Sequence, residues 1–303
     1  MADGTRMNIA KTAGDIIATD DINDGGVADG HKVERNKVGF GPDGEYKDAC
    51  IFNPLPVMPD SLVMAELADG NIEGYESLLK FGQNTQINSG QTEDIWDGGG
   101  LYDWPTSAAQ LELVSTSAND IPGNIGAHSI RMYGLDANYE EIQEDLVTDG
   151  VSPVFTVNSY LRVYRIAVLT AGTTGLNTGD LKIQEIGGAG FVRAQVSLGN
   201  NQTQMSLYTV PAGKTLFVNA LFASIYNAQS KGYGEMEFRV RPLGSVFREQ
   251  LNAGMATDGT TSFSHTFVVP LLIPAKSDML MRATVTVNNT KAIGSFGGFL
   301  RDD

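Results

Sequence analysis

The chain has 303 residues, of which 42% are hydrophobic, enough for a substantial core, and its 35 glycines suit many short strands joined by tight turns. A formal net charge of −15 sets it against DNA phosphates and anionic bilayers, so neither nucleic acid nor membrane is an expected partner. The single cysteine, Cys50, excludes an intramolecular disulfide, and no CxxC or Cys/His zinc spacing occurs. No run approaches the roughly 18 apolar residues of a membrane helix, and the opening MADGTRMNIAKTAGD lacks the apolar stretch of a signal peptide. A product made and kept in a cytoplasm is expected.

Residues 1–57 read as an extended N-terminal arm. Apolar residues are sparse there, Gly and Asp recur (DDINDGGVADG, GFGPDGEYKD), and Asn53-Pro54-Leu55-Pro56-Val57 enforces extended backbone. Residues 58–105 read as a connector. Ile72, Tyr75, Leu78 and Leu79 stand at helical spacing, which predicts one short helix over 71–81 with Gly82 as its stop. Trp96, Tyr102 and Trp104 then surround Gly98-Gly99-Gly100, a composition that suits a small satellite core or plug, with a sugar-stacking platform as the alternative.

Residues 106–303 read as the body, a repeated strand-and-turn pattern. Segments 111–116, 129–133, 139–146, 160–169, 181–186 and 191–198 are strand-like, with Val192, Ala194 and Val196 alternating against Arg193, Gln195 and Ser197. Segment 205–210 leads into the turn Pro211-Ala212-Gly213-Lys214 and a long strand over 216–226. Met236, Phe238 and Val240 oppose Glu235, Glu237, Arg239 and Arg241. Met281, Ala283, Val285 and Val287 oppose Leu280, Arg282, Thr284 and Thr286. Period-two alternation with one apolar face describes antiparallel sheets, and this many strands with long connections predicts an all-β, antiparallel β-sandwich of jelly-roll type.

Chemistry is hard to find. His31, His128 and His265 lack metal-ligand neighbours at i+2 or i+4, and no GxSxG elbow, HExxH helix or P-loop is present. Glu140 and Glu144 share one strand face, Glu141 and Asp145 the other, which suits an acidic face against stray strand pairing better than a glycosidase pair. Asp20, Asp21, Asp24 and Asp29 form an oxygen-rich cluster, but their spacing does not match an EF-hand loop. No catalytic residue, metal or cofactor is expected.

Residues 16–57 carry Ala18 to Ile22 (ATDDI), His31, Lys37, Phe40-Gly41, Asp43-Gly44 and Asn53 to Val57 (NPLPV). This pattern is similar to the opening of many tailed-bacteriophage virion proteins. Residues 92–120 (TEDIWDGGGLYDWPTSAAQLELVSTSAND), 134–137, 160–165 and YTVPAGK at 208–214 resemble a family of phage structural proteins. The resemblance implies a non-enzymatic virion subunit, assembled in the host bacterial cytoplasm. The expected role is a capsid decoration (cement) or head-fibre protein that forms a homo-oligomer, a trimer, and docks on the major capsid protein through its arm. A tail adaptor, fibre-base or receptor-binding protein is the alternative, and a carbohydrate-binding or carbohydrate-active protein a third. Ile16, Ile22, Val33, Phe40, Leu55 and Val57 of the arm, with Trp96 and Trp104, are the expected interaction residues.

Overall fold

The computed structural model describes residues 39–40, 47–48, 60–187, 191–228, 231–257 and 259–303. The chain divides into two compact units, residues 1–64 and 65–303. In the first, β1 (Gly39–Phe40) and β2 (Lys47–Asp48) pair antiparallel, with Phe40 opposite Lys47.

The one helix among the described residues is α1 (Asp60–Ala68), not residues 71–81. Its end is built from Asp69-Gly70-Asn71. Asn71 N–H donates to Glu66 O at 2.9 Å, Gly70 N–H to Leu67 O at 3.2 Å, and Gly70 holds φ at +75°. A glycine tolerates that left-handed turn, and the paired bonds satisfy carbonyls a helix end leaves open.

Where a helix was expected runs β3 (Tyr75–Ile87), paired antiparallel with the last strand from Thr290 to Arg301. Leu78 faces the core while Leu79 faces out, so two opposite faces produced an apparent helical spacing. A long ladder with a partner some 200 residues away outweighs that weak local preference.

The remaining elements are strands: β4 (Thr92–Asp94), β5 (Leu111–Ser115), β6 (Ala127–Leu135), β7 (Glu141–Val147), β8 (Val154–Phe155), β9 (Arg162–Ala171), β10 (Leu181–Glu185), β11 (Val192–Val196), β12 (Leu207–Thr209), β13 (Lys214–Asn227), β14 (Tyr233–Arg241), β15 (Arg248–Ala256), β16 (Gly259–Ile273), β17 (Asp278–Val285) and β18 (Thr290–Asp302). The protein is all-β, and its small sheets are antiparallel throughout the described residues.

Instead of one core, residues 106–303 contribute to two. The first lies between the sheet β16-β13-β18-β3 and the sheet β12-β17-β14-β15, whose inward residues include Val218, Ile225, Phe238, Met281, Val285 and Phe296. Phe238 and Phe296 meet with centroids 5.4 Å apart. Burying each such side chain contributes roughly 1.5–3 kcal/mol. The second core lies between the sheet β7-β6-β9 and the sheet β11-β10-β5-β8, from Leu113, Ile130, Met132, Ile166, Ile183 and Val196.

The chain crosses from one part to the other along β17. β4 pairs with β17 at Arg282–Thr284, and β12 pairs with the same edge at Asp278–Leu280. Between them Ile95 N–H donates to Met281 O at 2.9 Å and Met281 N–H to Ser206 O at 3.0 Å. Residues 97–204 are therefore an insertion within what is otherwise one continuous strand along β17. Asp97 N–H donates to Gln204 O at 3.0 Å, and Trp96 bridges Met205, so the outgoing and returning chains are themselves paired.

This arrangement explains two departures from simple alternation. Leu280, on the face of β17 opposite Met281, is buried in the second core because the insertion packs over that face. Arg193, expected on the wet face of β11, is buried, with its guanidinium held by Asp103 at 2.9 Å and by Glu185.

Candidate interaction sites at the junction

The glycine turn at the mouth of the insertion folds its aromatic rings inward. Gly99 and Gly100 both hold φ at +67°, and Gly100 N–H donates to Glu93 Oε2 at 2.7 Å. Beneath the turn the buried Asp94 carboxylate accepts from Tyr102 N–H at 2.8 Å and Arg282 Nε at 2.7 Å. Burial pushes that carboxyl above its ordinary range, with Arg282 pulling the other way.

Trp96, Tyr102, Trp104 and Phe247 follow in a ladder with successive centroids 5.3, 5.0 and 5.6 Å apart. The guanidiniums of Arg162 and Arg241 lie 5.2 and 5.4 Å from the Trp104 ring. Both arginines converge on Asp278: Arg162 Nε at 3.0 Å and Arg241 Nη2 at 2.5 Å, with Thr209 Oγ1 donating at 2.6 Å. Arg162 comes from the insertion (β9), Asp278 and Arg241 from β17 and β14. A buried carboxylate shared by two stacked arginines thus fastens the insertion to the body.

Of the expected interaction residues, Trp96 is buried and Trp104 half-buried in this ladder, so both make their contacts inside the chain. Phe40 lies in β1. Ile16, Ile22, Val33, Leu55 and Val57 lie outside the described residues, as do His31, Cys50 and the Asp20 to Asp29 cluster.

A cleft of about 400 Å³ lies between β3 and the insertion, lined by Lys80, Tyr133, Glu141, Tyr164, Arg165 and Tyr208 among others. Lys80 is buried, and its Nζ donates to Tyr164 O at 2.5 Å. Burial first, and the neighbouring Arg165 second, lower this amine to about 7. Tyr164 Oη donates to Glu141 Oε1 at 3.0 Å and its ring meets Tyr208 edge-on at 5.2 Å. Lys214 closes one end, bonded to Glu76 and 3.8 and 3.6 Å from Glu141 and Asp302. Lys214 is balanced by these carboxylates, whereas Lys80 and Arg165 stand near each other as like charges. The groups of the cleft do not present a nucleophile, base and orienting partner aimed at a common point.

Glu144 and Asp145, singled out in the sequence, hold neighbouring segments. Asp145 pairs with Arg131 at 2.6 Å, and Glu144 accepts from Val157 N–H at 2.7 Å and Asn158 N–H at 3.1 Å. A carboxylate that the sequence did not signal, Asp120, is fully buried at one end of the insertion. It accepts from Ser115 Oγ at 2.6 Å, Ala127 and Thr178 N–H at 2.8 Å each, Gly179 N–H at 2.9 Å and Thr178 Oγ1 at 3.0 Å. Burial pushes its carboxyl up, but the hydrogen bonds from Ser115, Thr178 and Ala127 outweigh it and hold the group below the usual carboxylate range. His128 bonds Asn124 O at 2.8 Å, and His265 sits between Phe263 and Phe267. No cluster of three or more His, Cys, Asp or Glu residues suited to a metal occurs among the described residues, and none of their helices is long and apolar enough to cross a membrane.

No protein-family model matches the chain, and no curated protein matches it. Among solved structures it is similar to the cowpea mosaic virus top component, described as naturally occurring empty particles. The identity is 9% over 65% of this chain and 82% of that chain, with a TM-score of 0.22. It is also similar to a T13 viral particle of infectious bursal disease virus, at 8% identity over 76% of this chain and 71% of that chain, TM-score 0.22. A structure of the Gt strain of that virus gives 9% identity, 75% and 72% coverage and a TM-score of 0.20.

Proposed function

We propose that this chain is a non-enzymatic structural subunit of a virion, built on a jelly roll that carries an inserted second β-structure. The observation that carries this reading is the strand order. Ordered along the chain, the eight strands β3, β12, β13, β14, β15, β16, β17 and β18 divide into sheets in which the first, eighth, third and sixth are neighbours, and the second, seventh, fourth and fifth. That is the strand order of a jelly roll, an architecture used by capsid and lectin domains. Folds do not dictate function by themselves. Here the strand order agrees with the resemblance of residues 16–57 and 92–120 to tailed-bacteriophage virion proteins.

The structural reading also fits the chemistry. Two sets of buried charges at the junction are paired within the chain, Asp278 with Arg162 and Arg241, and Asp94 with Arg282. Within the virion we place the chain as a capsid decoration or head-fibre subunit, a homo-oligomer of trimeric form that docks on the major capsid protein. Fractionation of particles on a density gradient tests the reading. The protein should co-sediment with the capsid protein, and recovery only in the soluble fraction would overturn it.

A further inference from the structure

The cleft between β3 and the insertion is lined by two cations that no carboxylate balances. Lys80 enters it from β3 with its side chain buried, and Arg165, itself exposed, enters from β9. The Lys80 ammonium has three N–H groups to place, and among the described residues it finds one acceptor, the Tyr164 carbonyl. Arg165 lies over the Tyr133 ring at 5.7 Å and donates to Gln202 Oε1 at 3.4 Å. Neither cation pairs with a carboxylate among the described residues. The two carboxylates that also line the cleft are already engaged, Glu76 by Lys214 and Glu141 by the Tyr164 hydroxyl at 3.0 Å.

The rest of the lining suits an organic body. Leu78, Tyr164, Tyr208 and Leu300 supply apolar and aromatic surface, and the volume of about 400 Å³ lies within the range of about 300–1,000 Å³ that small-molecule sites use. A ligand with a single negative charge fits best. A buried ammonium without a counter-ion is costly, and an anion beside it offsets that cost. A second negative charge would meet Glu76, Glu141 and the field of a chain with a net charge of −15. A carboxylate carries one charge, and its two oxygens match the fork of the Arg165 guanidinium.

We propose that this cleft binds a small organic acid, its carboxylate taken by Lys80 and Arg165 and its body packed on the tyrosines. The inference goes beyond the structural-subunit reading and does not depend on it. Binding and protonation are then linked. Burial first, and Arg165 second, lower the Lys80 amine to about 7, and a carboxylate beside it raises it again. The other titratable groups lining the cleft are Glu76, Glu141, Tyr133, Tyr164 and Tyr208, with Lys214 at one end. Burial above all pushes the Tyr164 and Tyr208 phenols above their ordinary value, so both stay neutral while Lys80 titrates.

Titration of the isotope-labelled full chain with benzoate, followed by NMR, tests this, with benzamide as the uncharged isostere and inorganic phosphate as the dianion. Benzoate should bind at about pH 6 and shift the resonances of Lys80, Tyr133 and Arg165, while benzamide should bind at least about tenfold more weakly. The affinity for benzoate should fall about tenfold for each pH unit above 7, as the protonated fraction of Lys80 falls. Lys80→Met should abolish both the binding and its pH dependence, and Arg165→Gln, at an exposed position, should weaken binding by about tenfold. Reductive methylation of the unaltered chain provides a readout that needs no variant: benzoate should protect Lys80 from it. An absence of saturable binding at about pH 6, binding that Lys80→Met leaves intact, benzamide binding as tightly as benzoate, or phosphate binding more tightly would overturn the proposal. Each of those results leaves co-sedimentation with particles free to succeed or fail on its own.

Discussion

Ser206 donates its backbone N–H to Ile95 O at 2.9 Å, and the two residues flank Met281 on β17 from the two ends of a long insertion. Directly over this junction passes Gly82 of β3. A Cβ there would stand 2.4 Å from Ser206 N and 2.6 Å from Ile95 O, both backbone atoms that cannot step aside. A residue that reads as a helix stop is instead the point where three backbones approach closely.

Gly82→Ala should therefore destabilise the protein by roughly 1–3 kcal/mol, the usual cost of overpacking. Gly254→Ala, with nothing within 4 Å of the added methyl, should be neutral or slightly stabilising. Denaturant melts of the two variants check the contrast, and equal effects would contradict the close approach at Gly82.

Asp278 fastens the insertion to the body through Arg162 and Arg241. Asp278→Ala leaves two guanidiniums and the Thr209 hydroxyl without their acceptor, so a loss of about 3–5 kcal/mol is expected. Limited proteolysis should then cut first around Trp96 or Met205, where the insertion leaves and rejoins the body. A variant as resistant as the unaltered chain would show that the pair does not hold the junction.

Lys80 is buried with its amine lowered to about 7, while in the unfolded chain it titrates near its ordinary 10.5. The unfolded state thus binds the extra proton between those values, and the cost of holding the charged form folded is greatest below pH 7 and fades as pH rises towards 10. Lys80→Met should stabilise the protein at pH 6 by on the order of 3 kcal/mol, after allowing for the lost bond to Tyr164 O. The gain should shrink towards zero by about pH 10. Thermal melts at the two pH values measure it, and a pH-independent difference would mean that Lys80 is not the titrating group.

Asp120 is held below the ordinary carboxylate range, so its contribution is present above the unfolded value and is lost as pH falls through the lower, folded one. Asp120→Ala frees three backbone N–H groups and two hydroxyls in a buried site, and a loss of at least about 3 kcal/mol at pH 7 is expected. In the unaltered chain, hydrogen exchange at Ala127 and Gly179 should rise in acid before the body unfolds. Protection persisting there to the acid midpoint of the whole protein would contradict this.

Alternation made much of the sheet structure legible. Ala194 and Val196 on β11, Met236, Phe238 and Val240 on β14, and Met281, Ala283 and Val285 on β17 are all buried on the faces their period-two spacing indicates. β15 escaped notice because its core-facing Leu251, Ala253 and Met255 alternate with Asn252 and Gly254, residues of low strand preference. The helix expected at 71–81 became β3 because Leu78 and Leu79 serve opposite faces of a sheet whose partner lies at the other end of the chain. Leu280 and Arg193 are buried by packing between modules, which spacing along one strand cannot register. The junction residues show the same limit. Trp96, Tyr102 and Trp104 are close in sequence and read as a cluster, but Arg162, Arg241 and Asp278 come together only in the folded chain.

The copy number of the protein in purified particles, measured by quantitative mass spectrometry against the major capsid protein, tests the structural-subunit reading most directly. A decoration role predicts on the order of hundreds of copies per particle, since many weak contacts make a stable shell. Absence from washed particles would contradict the reading.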